Sequence, residues 1–158
     1  MKEQILEVSY RIYTLDELPE ERRKLVDAAL EATQRSYAPY SHFYVGAAVM
    51  LDNGVIVTGN NQENVAFPSG LCAERTALFY ANAQYPEVPV KALAIVARDS
   101  SGKVTKEPIS PCGACRQVIL ETENRFGKPM QVLLAGAEEV IVVKHASSLL
   151  PLAFSEIS

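Results

Sequence analysis

Apolar and polar residues alternate along the chain with two different periods, which divide it into predicted helices and strands. Apolar residues recur at i, i+3, i+4 and i+7 from Leu25, which predicts a helix within residues 18–37. Two β-rich runs within residues 44–60 flank Asp52-Asn53-Gly54, a sequence typical of a tight hairpin turn. The other predicted elements are strands at 5–14, 90–99, 130–136 and 139–145, helices at 72–84 and 113–127, and a short helical segment at 146–154.

The order of these elements predicts an α/β sandwich with helices on both faces of a mixed sheet. Part of that sheet should be parallel, because a strand–helix–strand crossover joins parallel neighbours. We find no linker, repeat or low-complexity stretch along the chain, and 158 residues are enough to build a hydrophobic core. We therefore expect one domain over residues 1–158.

Composition and charge favour a protein that acts on small molecules. Hydrophobic residues make up 48% and charged residues 22%, and 15 Lys and Arg against 19 Asp and Glu leave a net charge of -4. No cluster of Lys and Arg stands out, which argues against binding to a nucleic-acid backbone. The apolar runs are far shorter than the ~20 residues of a membrane-spanning helix, and the first residues lack the pattern of a secretion signal. We expect a cytoplasmic protein without a membrane or nucleic-acid partner.

The three cysteines lie at the starts of two predicted helices. Cys72 opens one helix, and Cys112 and Cys115 form a CxxC motif at the start of the next. Spacing alone leaves two interpretations of the CxxC motif open, a redox pair and half of a zinc site. If the two helices flank neighbouring strands, their first turns point the same way and the three sulfurs converge. A helix N-terminus lowers the pKa of a thiol and so favours the thiolate that binds metal.

Three thiolates without a fourth protein ligand indicate a catalytic zinc site rather than a structural one. A structural zinc normally has four protein ligands, whereas a catalytic zinc keeps one position for water. Neither His42 nor His145 has ligand spacing to the cysteines. Glu74 follows Cys72 by two residues, close enough to reach a water at the open position. The alternative role for Glu74 is a first-turn carboxylate that stabilises the helix dipole.

The charge of such a site requires a compensating cation. Three thiolates around Zn²⁺ leave a net charge of about -1, which weakens the acidifying effect of the metal on water. Arg75 and Arg116 each directly follow a site residue, so we expect them to donate to the sulfurs. Either could instead be an exposed helix arginine, which is the usual environment of arginine.

Five motifs in order resemble the cytidine deaminase family, in its small homotetrameric type with three cysteine ligands. These motifs are "YAPYSHFYVGAAV", "GNNQEN", "CAERTAL", "SPCGACRQV" and "LLPLAF". The resemblance covers roughly residues 20–154. It implies a three-layer α/β/α sandwich around a mixed five-stranded sheet, to which residues 5–14 could add an extra N-terminal strand.

The resemblance also implies the chemistry of the site. Cys72, Cys112 and Cys115 would ligate one zinc ion per chain, and Glu74 would carry protons between water and the base. The reaction would be hydrolytic deamination of cytidine, and of deoxycytidine, to the uracil nucleoside and ammonia in pyrimidine salvage. A structural zinc-binding module remains an alternative, but it would not need Glu74. A polynucleotide deaminase would share the signature, but it should show basic surface.

Further residues would bind the nucleoside. The resemblance implies that Phe43 lines the base pocket and that Asn61 and Glu63 bind the ribose hydroxyls. Phe154 would pack on the base from a neighbouring subunit, so the family type implies a homotetramer with shared active sites. Tyr44 and Asn60 depart from the proline and cysteine that are common in the family, as does the loop "VAFPSG" before Cys72. These departures leave the chemistry intact and concern fine substrate preference. A related deaminase for another cytosine-bearing nucleoside remains an alternative, which could share nearly everything except "NNQEN" and Phe154.

Overall fold

A mixed six-stranded sheet forms the middle layer of the protein, in a computed structural model that describes residues 1–155. The strands are β1 (Tyr10–Thr14), β2 (Tyr44–Leu51), β3 (Ile56–Asn60), β4 (Val90–Arg98), β5 (Gln131–Ala135) and β6 (Glu139–Val143). They lie in the order β1-β6-β5-β4-β2-β3. In this sheet β4 and β5 pair in parallel, while the other neighbours are antiparallel. The predicted five-stranded mixed sheet and the extra N-terminal strand are both present.

Helices cover the sheet on both faces and complete the predicted α/β/α sandwich. They are α1 (Glu20–Ala32), α2 (Ala73–Gln84) and α3 (Gly113–Phe126). Helix α1 packs on one face through Leu25 and Ala29, and α2 and α3 pack on the other through residues such as Leu78 and Ile119. Within residues 1–155, none of these helices is long and apolar enough to cross a bilayer.

A glycine in β3 lets helix α2 lie close against the sheet. A Cβ atom at Gly59 would lie 2.5 Å from the backbone nitrogen of Ala77 and 2.8 Å from the carbonyl oxygen of Ala73. Any larger residue would therefore push the first turns of α2 away from β3. Cys72 immediately precedes these turns, so this contact helps to fix where the helix begins.

The terminal elements are shorter than predicted. Strand β1 covers only the second half of the predicted strand 5–14, because its partner β6 has five residues, and Tyr10 already pairs with its last residue, Val143. The predicted helical segment 146–154 is a 3-10 turn over Ala146–Leu149. Pro151 accounts for this early end, since the residue before a proline avoids the helical conformation. The expected single domain over residues 1–158 stays a prediction, and its last three residues lie outside the described part.

Candidate active site

The three cysteines converge at the first turns of α2 and α3, as the sequence predicts. Cys72 is the N-cap residue of α2, Cys112 is the N-cap residue of α3, and Cys115 lies in the first turn of α3. Their Sγ atoms all lie within 4.8 Å of one another. The Sγ atoms of Cys72 and Cys112 are 3.9 Å apart, and all three thiols are free.

This cluster has the donor type and spacing of a zinc site. Tetrahedral zinc with Zn–S bonds of ~2.3 Å separates neighbouring sulfurs by about 3.8 Å, which agrees with the Cys72–Cys112 distance. Over residues 1–155, it is the one group of three or more His, Cys, Asp or Glu side chains close enough to hold a metal ion. The three residues therefore hold one zinc ion and leave a fourth position for water or substrate.

A guanidinium group compensates the negative charge of the cluster. Nη2 of Arg75 donates a hydrogen bond to Sγ of Cys72 over 3.4 Å. The pKa of Cys72 falls to about 5, mainly because its sulfur accepts a hydrogen bond from Cys115, with further contributions from Arg75 and Cys112. The pKa of Cys115 is correspondingly raised, first by its hydrogen bond to Cys72 and then by burial. The cluster thus favours a thiolate at Cys72, the form in which sulfur binds metal.

The second predicted donor, Arg116, has other partners. Its Nε donates to the carbonyl oxygen of Pro111 over 2.9 Å, and its Nη1 donates to the carbonyl oxygen of Leu149 over 2.7 Å. The expectation that Arg116 donates to the sulfurs is therefore wrong. The side chain instead connects the loop before Cys112 to the segment that follows β6.

Glu74 is buried beside the thiols. Its residue surface is only 4% exposed, although it lies in the first turn of α2. Burial raises the pKa of its carboxyl group, and the nearby charge of Cys72 raises it further. A glutamate that only stabilised the helix dipole would remain in solvent. A carboxyl group with a raised pKa is suited to accept and return a proton near neutral pH.

A pocket of about 500 Å³ opens directly beside the cluster. Cys72 and Arg75 line it from α2, and Asn61 and Glu63 line it from the loop after β3. The ring of Phe67 lines it from the loop before Cys72. Its volume lies within the usual range for small-molecule sites. The pocket therefore joins the metal cluster to polar groups that could orient a ligand.

Glu63 is held in place by the turn that precedes β2. Its Oε2 accepts hydrogen bonds from the backbone N–H of Tyr40 (2.8 Å) and of Ser41 (3.2 Å), and its Oε1 accepts one from the Ser41 hydroxyl. The bond from the Ser41 side chain is the main reason that the pKa of Glu63 lies below its ordinary value. The sequence analysis missed Ser41, although it lies inside the motif "YAPYSHFYVGAAV".

The amide of Asn61 fixes the same turn from the other side. Its Oδ1 accepts from the backbone N–H of Val45, and its Nδ2 donates to the carbonyl oxygen of Phe43, each over 2.8 Å. An amide retains a second lone pair and a second N–H, so Asn61 can still bind a ligand. Phe43 itself is half-buried and does not line the pocket of the single chain.

Phe154 lies apart from the pocket of its own chain. It is 68% exposed, and its carbonyl oxygen accepts a hydrogen bond from Nε2 of Gln117 on α3 over 2.9 Å. The structure thus brings the predicted zinc ligands, Glu74, Arg75, Asn61 and Glu63 together, but leaves Phe154 at the surface.

An open zinc centre with a buried carboxyl group at its side, on an α/β/α sandwich, defines the class of zinc-dependent hydrolytic enzymes. Within this class the chain belongs to the family described as "Cytidine and deoxycytidylate deaminase zinc-binding region", whose model matches residues 19–126. The zinc binding named in this description agrees with the cluster of Cys72, Cys112 and Cys115.

Individual proteins that are similar to this chain carry names consistent with this family. The cytidine deaminase of Halalkalibacterium halodurans is 41% identical over 135 residues, which cover 85% of this chain and 95% of the relative. The cytidine deaminase of Sporosarcina psychrophila is 44% identical over 133 residues, with 84% and 90% covered. Among solved structures, the cytidine deaminase from Burkholderia pseudomallei has a TM-score of 0.71 and 43% identity, and covers 83% of this chain and 97% of its own.

Proposed function

We propose that the protein catalyses the zinc-dependent hydrolytic deamination of cytidine and deoxycytidine to the uracil nucleosides and ammonia. The observation that carries this proposal is the buried carboxyl group of Glu74 beside three converging thiols, of which Cys72 lines an open pocket. The similarity to proteins named cytidine deaminase, over most of their length, supports the same reaction.

In this mechanism Glu74 performs the proton transfers. Zinc held by Cys72, Cys112 and Cys115 supplies Lewis-acid chemistry, which brings the pKa of water toward ~7. Glu74 accepts a proton from the attacking water and delivers it to N3 of the cytosine ring, which makes C4 electrophilic. After the remaining hydroxyl group has added to C4, Glu74 takes the second proton from this oxygen and transfers it to the amino group. The C4 carbonyl forms as the C4–N bond breaks, and ammonia leaves. In zinc deaminases this acid–base role belongs to a glutamate that is not a metal ligand.

The polar wall of the pocket orients the sugar. Asn61 and Glu63 bind the ribose hydroxyls, and Phe43 packs against the base when the oligomer closes the site. The preorganised Glu63 also selects against phosphate on the 3′ oxygen, since two unit charges at ~4 Å repel by roughly 4 kcal/mol at an effective dielectric constant of 20. The substrate is therefore the free nucleoside rather than a nucleotide or a nucleic acid.

The complete site requires a second subunit. Phe154 lies outside the pocket of its own chain and is largely exposed, which supports its packing on the base in a neighbouring subunit. We therefore propose a homotetramer with shared active sites. Free thiols as zinc ligands require a reducing compartment, which supports a cytoplasmic enzyme of pyrimidine salvage without a nucleic-acid or membrane partner.

A panel of substrates tests the reaction and its alternatives. Zinc-loaded protein is mixed with cytidine, deoxycytidine, cytidine monophosphate and a cytosine-containing oligonucleotide, and loss of the cytosine chromophore is followed in the ultraviolet. We expect cytidine to react at least a hundredfold more efficiently than the monophosphate or the oligonucleotide, which corresponds to about 2.7 kcal/mol. No turnover of any substrate would favour a structural zinc module, and turnover of only a modified cytosine nucleoside would favour a related deaminase.

A further inference from the structure

One carboxylate ties the C-terminal segment, residues 146–154, to helix α3. Oε2 of Glu123 accepts hydrogen bonds from the backbone N–H of Met130 over 2.8 Å and of Ala146 over 2.9 Å. Its Oε1 accepts one from the backbone N–H of Ser147 over 3.4 Å. Met130 directly precedes β5, and Ala146 and Ser147 begin the 3-10 turn after β6. Glu123 on α3 therefore connects two separate backbone segments, the residue before β5 and the first two residues of the turn after β6.

The hydrogen bonds from Ala146 and Ser147 supply acceptors to backbone N–H groups at the start of the 3-10 turn. The first N–H groups of a helical turn have no partner inside the turn. A carboxylate is the strongest acceptor that a side chain offers to them, because the bonds are charge-assisted. Ala146 is fully buried, so its N–H group depends on a protein acceptor. Glu123 thus fixes where the C-terminal segment leaves the sheet.

Two neighbouring side chains of α3 hold the rest of the segment. Arg116 binds the carbonyl oxygen of Leu149 over 2.7 Å, and Gln117 binds the carbonyl oxygen of Phe154 over 2.9 Å. Arg116 and Glu123 are seven residues apart and so lie on the same side of the helix. The helix that supports the C-terminal segment is also the helix whose first turn carries Cys112 and Cys115.

The exposed ring of Phe154 is oriented mainly through this backbone support. Phe154 is 68% exposed, and Leu152, two residues earlier, is 94% exposed. Leu149, by contrast, is only 8% exposed. Beyond Leu149 the segment therefore leaves the core, and its direction depends on how the buried part is anchored.

We propose that Glu123 is a positioning residue, which sets where one subunit presents Phe154 to the active site of its neighbour. This inference rests on the shared active sites of the proposed function. It assigns to Glu123 an effect on substrate affinity at a site that lies in another subunit. Glu123 itself touches neither the substrate nor the metal ligands.

The first test compares Glu123→Gln with a control on the same helix, Glu121→Gln. Glu121 lies two residues earlier and is exposed. In Glu123→Gln we expect the amides of residues 146–149 to exchange hydrogen at least tenfold faster, while the amides of α3 keep their protection. The KM for cytidine should rise about five- to twentyfold, with kcat within twofold and zinc content unchanged. The Glu121→Gln protein should match the wild type in each measurement.

A second test asks in which subunit the defect acts. Glu123→Gln subunits are co-assembled with an excess of Glu74→Gln subunits, whose own sites are inactive but whose C-terminal segments are intact. The remaining active sites then receive Phe154 from an unaltered neighbour, so their KM should return to the wild-type value. Glu123→Ala, which removes the acceptor altogether, should give a larger KM defect with the same rescue. If Glu123→Ala does not fold, the comparison of Glu123→Gln alone with Glu123→Gln in the mixed oligomers tests the proposal.

An active Glu123→Gln protein with unchanged KM, or a raised KM that persists in the mixed oligomers, would overturn this proposal alone. Loss of both kcat and zinc in Glu123→Gln would also overturn the proposal, since Glu123 would then have a general structural role. If zinc-loaded wild-type protein does not deaminate cytidine, the proposed function fails, and the proposal for Glu123 fails with it.

Discussion

Removing the positive charge of Arg75 should weaken zinc binding and turnover together. Nη2 of Arg75 lies 3.4 Å from Sγ of Cys72. Two unit charges at this distance attract by about 5 kcal/mol at an effective dielectric constant of 20. Because Arg75 is partly exposed, solvent screening reduces this energy, and a hydrogen bond to a charged group is typically worth about 1.5–3 kcal/mol. Arg75→Gln keeps an N–H donor but removes the charge, so we expect a roughly ten- to hundredfold loss of zinc affinity.

Competition with a chromophoric chelator measures this loss directly. Arg75→Lys, which keeps the charge but not the planar guanidinium group, should fall between the wild type and Arg75→Gln. Arg125→Gln removes an equal charge at the far end of α3 and serves as the control, since the Arg125 side chain contacts the carbonyl oxygen of Pro86. If Arg75→Gln binds zinc and turns over cytidine like the wild type, then Arg75 does not balance the charge of the thiolates.

Three further predictions concern the metal, the subunit contact and the sugar. Cys112→Ala should lose zinc and unfold at a lower temperature, because two sulfurs cannot hold the ion. Metal analysis and thermal unfolding measure these effects, and full zinc occupancy would contradict the prediction. Phe154→Ala should raise the KM for cytidine about tenfold while keeping its zinc. Dilution of the wild-type protein to monomers should abolish its activity. A protein that is monomeric by light scattering and fully active would refute the shared site. Glu63→Gln should raise the KM for cytidine about tenfold, because a charge-assisted hydrogen bond is lost. With 2′,3′-dideoxycytidine, which lacks both hydroxyls, the variant and the wild type should have similar KM values, and a persistent difference would rule out this contact.

The hydrophobic pattern predicted most helices and strands, because the side that an element buries in the core determines where its apolar residues lie in the sequence. The apolar repeat from Leu25 follows the face that α1 packs on the sheet, and the strand predicted at 90–99 is the buried strand β4, Val90–Arg98. The pattern failed at the ends of the chain. The length of β1 is set by the five residues of β6, which no local pattern in residues 5–14 records.

The site was predictable where its parts are local in sequence. Cys72 and Glu74 share one helix start, and Cys112 and Cys115 share another. The CxxC spacing alone left a redox pair and a zinc site open, and the additional helix-start residues Cys72 and Glu74 favoured catalytic zinc. The contacts of Arg116 and of Ser41 were not predictable. Arg116 reaches a carbonyl 33 residues away, and Ser41 binds a carboxylate 22 residues away.

These long-range contacts depend on how loops meet after the sheet has formed. A guanidinium group beside a cysteine can donate to sulfur or to any nearby carbonyl oxygen, and only the folded backbone decides between them. The same argument applies to Phe154, whose packing partner lies outside the single chain in the proposed homotetramer.

The turnover of cytidine by Glu74→Gln at matched zinc content tests the central claim most directly. Glutamine is nearly isosteric with the buried Glu74, so the variant should fold and bind one zinc per chain like the wild type. It cannot accept and return a proton, and a single such transfer typically contributes ~10²–10⁴-fold. Since Glu74 acts at more than one step, we expect kcat to fall by at least about a thousandfold. A kcat within tenfold of the wild type would contradict the account.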